Sequence, residues 1–313
     1  MLYENSKFKG RDLLSLNDLT GEEIMAILDL ADLLKEKHKA AVPHPHLKGK
    51  TLAMIFQKAS TRTRVSFEVA MFQLGGHGLY LNTNDLQLGR GETVADTGRV
   101  LSRYVDGIMI RTYAQSDVEE LAKYAAVPVI NGLTDLEHPC QVLADLQTIR
   151  EHKGRLAGLK LAYLGDGNNV CHSLLLGCAK TGMSISVAAP EGYWPREEII
   201  SRARRDARDQ GGKVEVVTDP VPAVTGADVV VTDVWASMGQ EAEQVRRKAV
   251  FAPYQVNLDL VRYARPDFIF LHCLPAHRGE EVSDAVIDGP HSVVLDEAEN
   301  RLHAQKAVLT LLM

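Results

Sequence analysis

The sequence predicts an α/β protein made of two doubly wound parallel-sheet domains, with the active site in the cleft between them. Three observations lead there. Short apolar runs alternate with helical stretches along the chain, the rhythm of βαβ units. At 313 residues the chain exceeds the usual size of a single core. Polar clusters then follow one apolar run after another, and in open α/β sheets ligand groups gather beyond the carboxyl ends of the strands.

The elements can be read in order. Apolar Ile24, Ile27, Leu28, Ala31 and Leu34 stand at helical spacing within 20–37, and Thr20 with Glu23 forms a capping box. Pro43 and Pro45 break the chain before a strand at 51–56, and Gly75-Gly76 ends the helix that follows Ser60. Strands at 78–81, 107–110 and 127–131 alternate with helices at 93–104 and 118–125. A helix at 141–151 leads to a second set of strands at 159–164, 184–189, 214–217, 229–232 and 268–272. The charged run Arg150-Glu151-His152-Lys153 marks the boundary. The domains are therefore expected at 1–150 and 151–297, with a terminal helix in 298–313 packing back on the first.

Composition narrows the class. Hydrophobic content of 45% and charged content of 24% are those of a globular protein. With 41 acidic against 35 basic residues, the net charge of −6 offers no basic field for a polynucleotide, so no nucleic-acid partner is expected. No apolar segment reaches the length of a membrane span and no signal-peptide core precedes the first helix, so the reading is cytoplasmic with no membrane partner. Cys140, Cys171, Cys178 and Cys273 contain no CxxC pair and read as free thiols in a reducing compartment.

The most informative stretch is Ser60-Thr61-Arg62-Thr63-Arg64, between the strand at 51–56 and a helix bearing Val65, Phe67 and Val69. Free N–H groups at a helix start, the helix dipole and guanidinium side chains together suit a phosphate dianion. Ser60 could simply cap a helix whose arginines face water, but five consecutive hydrogen-bond donors between a buried strand and a helix favour the anion site. Arg111, at a strand end, suits a second anion contact, or else a surface pairing with Asp106 or Asp117. His138-Pro139-Cys140-Gln141 opens another helix with Pro where no backbone donor is needed. Its imidazole and amide could polarise a carbonyl, or the histidine could be structural.

Gly165-Asp166-Gly167-Asn168-Asn169 follows a strand and has the start of a dinucleotide fingerprint, but Val170 stands where the third glycine belongs. A polar loop offering Asn168 or Asn169 to a substrate is favoured over a nicotinamide site, and no cofactor is expected. Asp233 through Gly239 supplies a carboxylate, the Ser237 hydroxyl and Met238, suited to a charged amine or else to an ordinary turn around a buried Trp235. His272-Cys273-Leu274-Pro275-Ala276-His277 fits no common zinc spacing, so no metal is expected and Cys273 reads as a ligand-contacting thiol.

Ser60–Arg64, His138–Gln141, Asp233–Gly239 and His272–Pro275 resemble the signatures of the ornithine carbamoyltransferases, and the resemblance extends over nearly the whole chain. It implies transfer of the carbamoyl group of carbamoyl phosphate to L-ornithine, giving L-citrulline and phosphate, without a cofactor. By similarity Ser60, Thr61, Arg62, Thr63, Gln87, Arg111, His138, Gln141, Cys273, Leu274 and Arg301 would contact carbamoyl phosphate. Asn169, Asp233, Ser237 and Met238 would hold ornithine, with Arg111, His138, Asp233 and Cys273 as catalytic groups. A homotrimer, or a multiple of trimers, is implied. Putrescine or N-acetylornithine is the alternative acceptor within the class, and an NAD-dependent oxidoreductase or a non-catalytic amino-acid sensor lies outside it.

Overall fold

The computed structural model describes residues 7–88, 90–236 and 243–313. Two compact units stand out: residues through Ala144 with Asn300–Met313, and Asp145–Glu299. The first contains β1 (Thr51–Phe56), β2 (His77–Asn82), β3 (Gly107–Arg111) and β4 (Val129–Leu133), paired in parallel in the order β2-β1-β3-β4. Helices α1 (Gly21–Lys39), α2 (Thr61–Gln73), α3 (Val94–Leu101) and α4 (Gln115–Tyr124) belong to it, and α5 (Pro139–Lys153) carries the chain onward.

The second unit contains β5 (Lys160–Leu164), β6 (Ser184–Ala188), β7 (Val214–Val217), β8 (Val229–Thr232) and β9 (Ile269–His272), parallel in the order β7-β6-β5-β8-β9. Its helices are α6 (Asn169–Lys180), α7 (Glu197–Gln210), α8 (Pro220–Val224), α9 (Gln244–Phe251), α10 (Leu258–Val261) and α11 (Asp284–Ile287). Helix α12 (Val294–Leu312) returns the chain to the first unit. The expected α/β class, with two parallel sheets and interleaved helices, is what the protein has.

Burial follows sheet position. Leu52, Ala53, Met54 and Ile55 of central β1 are fully buried, as a parallel strand covered on both faces requires. Edge strand β2 instead alternates exposed and half-buried residues over 77–80 and stays half-buried to its end. The capping box of α1 forms as the sequence predicts: Glu23 N–H donates to Thr20 Oγ1 at 3.2 Å and Thr20 N–H to Glu23 Oε2 at 3.0 Å.

Element boundaries differ in places. Strand β4 runs over 129–133 rather than 127–131, because Pro128 has no N–H for the ladder. Arg150–Lys153 forms the last turn of α5, and the division between the compact units falls inside two continuous helices, at Ala144/Asp145 and at Glu299/Asn300. No described helix is long and apolar enough to cross a membrane.

Register positions the functional loops. In the second unit Leu164 pairs with Thr232 and Thr232 with His272, so three adjacent strands end in step. The residues that follow are Gly165, Asp233 and Cys273. In the first, Phe56 pairs with Arg111, which pairs with Leu133.

Candidate active site

In the first unit Ser60 has extended backbone and caps α2, its Oγ accepting Thr63 N–H at 3.2 Å. This leaves Thr61 and Arg62 in the first turn, where backbone N–H groups have no intrahelical partner. Thr63 is fully buried, and its Oγ1 accepts from Arg301 Nη2 at 2.9 Å. Arg301, Arg111, His138 and Gln141 are all buried, Arg111 at the end of β3 and the last two at the start of α5.

The electrostatics tie this set together. Burial, reinforced by the charges of Arg301, Arg111 and Arg62, holds His138 well below the usual histidine range, so its ring is neutral at pH 7. Three guanidinium groups thus act on one neutral, buried imidazole just before the first turn of α5. Such a set suits an oxyanion and an adjoining carbonyl. Cys140 does not share this chemistry: burial pushes its thiol up to about 12, and its Sγ faces the Asn131 carbonyl at 3.6 Å. Gln87 is exposed, and its hydrogen bonds run within its own loop, its carbonyl accepting from Arg90 and Glu92 N–H.

In the second unit the three strand ends assemble a different set. Asp233 is buried; its Oδ1 accepts from Cys273 Sγ at 3.1 Å and from Val234 N–H at 2.8 Å, and its Oδ2 from Asn168 Nδ2 at 2.7 Å. Burial first, then the charge of Asp233, raises the Cys273 thiol well above its ordinary value. Cys273 is thus a protonated donor, not a thiolate nucleophile. Asn169 is the first residue of α6, and its Oδ1 accepts Val170 N–H at 3.0 Å. Leu274 follows Cys273 with a left-handed backbone, φ +57°. Ser237 and Met238 lie outside the described residues.

Asp233, His272 and Cys273 each present a ligand atom within 4.8 Å of the others. Both imidazole nitrogens of His272 are engaged, however: Nδ1 takes Leu274 N–H and Nε2 faces Glu281 Oε1. A metal would have to break one of these bonds. The Gly165–Asn169 loop likewise has work other than a dinucleotide's. A Cβ on Gly167 would fall 2.2 Å from Pro195 N, so that glycine admits the Trp194-Pro195 backbone. Asn168 caps α6, its Oδ1 accepting from Val170 and Cys171 N–H.

Sequence reasoning left several groups in this neighbourhood without a part. Asn168, offered as an alternative to Asn169, is the one bonded to Asp233, and its signal was the N-cap position before an apolar helix. Asp166 and Arg247 form a buried ion pair at 2.8 Å, with Arg247 also donating to the Trp235 carbonyl at 2.9 Å. Nothing in the spacing of residues 166 and 247 announces that contact.

Two family models match in tandem: the carbamoyl-phosphate-binding domain of aspartate/ornithine carbamoyltransferases over residues 11–151, and the Asp/Orn-binding domain over residues 157–312. The chain belongs to this carbamoyltransferase family. The ornithine carbamoyltransferase of Carboxydothermus hydrogenoformans is 67% identical over 308 residues, which cover 98% of this chain and 99% of that protein. The anabolic enzyme of Pyrococcus furiosus is 64% identical over 97% of this chain and 96% of its own. Among solved carbamoyltransferase structures, the P. furiosus ornithine enzyme superposes with a TM-score of 0.96 at 63% identity, covering 98% of both chains. The anabolic ornithine enzyme of Campylobacter jejuni gives 0.90 at 42% identity over 96% of this chain and 97% of that one.

Proposed function

We propose that the chain transfers the carbamoyl group of carbamoyl phosphate to the side-chain amine of L-ornithine, releasing L-citrulline and phosphate. The observation that carries this reading is the buried set of Arg301, bonded to Thr63 in the first turn of α2 at 2.9 Å, with Arg111 and His138, whose ring is kept neutral by burial and the nearby Arg charges. Carbamoyl phosphate combines a phosphate dianion with a carbonyl, and this set offers cations for the first and neutral or cationic donors for the second. Its phosphate lies against Ser60, Thr61, Arg62 and Thr63 at the α2 N-terminus. Arg111, His138 and Gln141 address the carbamoyl end.

Attack by the neutral amine builds negative charge on the carbamoyl oxygen, and donors from Thr63, Arg111 and His138 stabilise it. Each such donor is worth about 100- to 1000-fold in rate. Asp233 draws in the cationic amine, and the Cys273 thiol, kept protonated, orients it with Asn169, Ser237, Met238 and the Leu274 backbone. The ammonium gives one proton to solvent to become the neutral nucleophile, and the second proton, lost on attack, leaves with the departing phosphate. The Asp233 carboxylate favours an acceptor with a cationic side chain over one with a second carboxylate such as aspartate, and 60–67% identity to proteins named for ornithine supports the same choice.

We further read the protein as a homotrimer or a multiple of trimers in the cytoplasm, with Gln87 contributing at a subunit boundary. The four cysteines, all free, suit a reducing compartment. Light scattering giving a monomer would remove the trimer.

A steady-state assay of citrulline and phosphate release with ornithine, putrescine, N-acetylornithine and aspartate tests the central claim. Ornithine is expected to be preferred by a wide margin. Phosphate release with another amine as fast as with ornithine, or none with ornithine, would overturn the assignment.

A further inference from the structure

We propose that His272 and Glu281 act as a positioning pair, holding the Cys273-Leu274 backbone in the one conformation that serves the reaction. The inference rests on the ornithine carbamoyltransferase reading and assigns a part to two residues outside the machinery described above.

The need for a brace comes from Leu274. Its φ of +57° lies in the left-handed region, which is strained for a residue with a Cβ. Such a conformation persists only where surrounding groups over-determine it. Leu274 N–H donates to His272 Nδ1 at 2.9 Å, a contact that turns the chain back on the end of β9. A backbone N–H can only donate, so Nδ1 carries no proton, and the ring proton sits on Nε2.

Glu281 fixes that tautomer. Its Oε1 lies 3.1 Å from His272 Nε2 and accepts His277 N–H at 2.5 Å. Both side chains are fully buried, and His272 is anchored at its own N–H by Glu297 Oε2 at 2.8 Å. Rotation of the imidazole would therefore break contacts at both nitrogens. The chain that is held leads directly to function: the residue between His272 and Leu274 is Cys273, whose Sγ donates to Asp233 Oδ1 at 3.1 Å. Release of Leu274 would move the thiol off the carboxylate.

The test separates positioning from mere folding. Asn places its carbonyl oxygen near the Nδ1 position and can still accept Leu274 N–H. Gln reaches the Nε2 position and cannot. His272→Gln is expected to lower kcat/KM for ornithine about 100-fold, the scale of a misplacement of ~1 Å, while His272→Asn stays within roughly tenfold of wild type. Equal losses in the two variants, or wild-type kinetics in a folded His272→Gln, would overturn the proposal. Nitrogen-15 NMR of imidazole-labelled wild type is expected to show the Nε2–H tautomer at His272, and an Nδ1–H tautomer would overturn it even where His272→Gln does not fold. Wild-type protein that forms no citrulline would sink the ornithine reading alone, since the tautomer is read without substrate.

Discussion

Arg301 and Thr63, 238 positions apart in sequence, meet through a buried hydrogen bond of 2.9 Å from Nη2 to Oγ1. The bond joins the C-terminal helix α12 to the first turn of α2, where Ser60 and Arg62 stand. A hydroxyl that accepts from a guanidinium directs its own proton elsewhere, so Thr63 remains a donor for a bound anion.

Thr63→Val keeps the shape and removes that acceptor. Loss of a hydrogen bond to a charged group costs about 1.5–3 kcal/mol, and the expected result is a lower melting temperature together with a raised KM for carbamoyl phosphate. Thermal unfolding and initial-rate kinetics measure the two effects separately. A variant with wild-type KM for carbamoyl phosphate would detach Thr63 from the anion site.

Cys273 gives a chemical prediction. Its thiol is pushed well above the ordinary cysteine range by burial and by Asp233, so thiolate is scarce at neutral pH. Alkylation by iodoacetamide at pH 7.5 is expected to be at least about tenfold slower than for a free cysteine, because the thiolate is the reacting form. Alkylation as fast as that of free cysteine, mapped to residue 273 by mass spectrometry, would contradict the assignment of a protonated donor.

Lys306 gives a pH dependence. It is fully buried, with Nζ 3.0 Å from Gln73 Oε1, 3.1 Å from His44 Nε2 and 3.4 Å from the Leu34 carbonyl. Burial lowers it from 10.5 to about 8. Between these two values the unfolded chain holds the proton and the folded one does not, so stability contributed by this group rises as pH goes from about 8 to 10.5. Below pH 8 the buried charge is a standing cost. Denaturant unfolding across that range should show the rise in wild type and its loss in Lys306→Met; parallel curves for the two would show that Lys306 titrates normally.

Much of this organisation was legible because local rules carry it. Thr20 and Glu23, Ser60 before its helix, and the apolar runs of β1 and β5 announce themselves by spacing of a few residues. Pro128 shows the limit of that reasoning: hydrophobicity continued through Val127, whereas the missing N–H set where the strand starts. The contacts that organise the site are of another kind. Arg301 reaches Thr63, Asp166 reaches Arg247, and Glu281 reaches His272 through side chains whose partners depend on how sheets and helices pack. Glu281 in particular follows Glu280 in a stretch that reads as solvated charge, yet Glu281 is fully buried while Glu280 is not.

The Asp166–Arg247 pair shows how such a contact supports function. Arg247 Nη1 bonds Asp166 Oδ2 at 2.8 Å and the Trp235 carbonyl at 2.9 Å, and its guanidinium lies 5.1 Å from the Tyr193 ring centre. It thereby joins the loop after β5 to the loop after β8, the two that supply Asn168 and Asp233. Burial raises Asp166 above its usual value despite the nearby cation, so removal of the cation leaves a carboxylate in a poor environment. Arg247→Met should cost about 3–5 kcal/mol, the range for breaking a buried pair from one side, and should raise KM for ornithine more than KM for carbamoyl phosphate. Asp166→Asn removes the charge but leaves an amide oxygen to accept from Arg247, so its loss should be smaller. In the double variant the two losses should be less than additive, because the second change removes the charge that the first leaves stranded. Chemical denaturation of all four proteins measures the coupling, and strict additivity would mean that the pair contributes nothing as a pair.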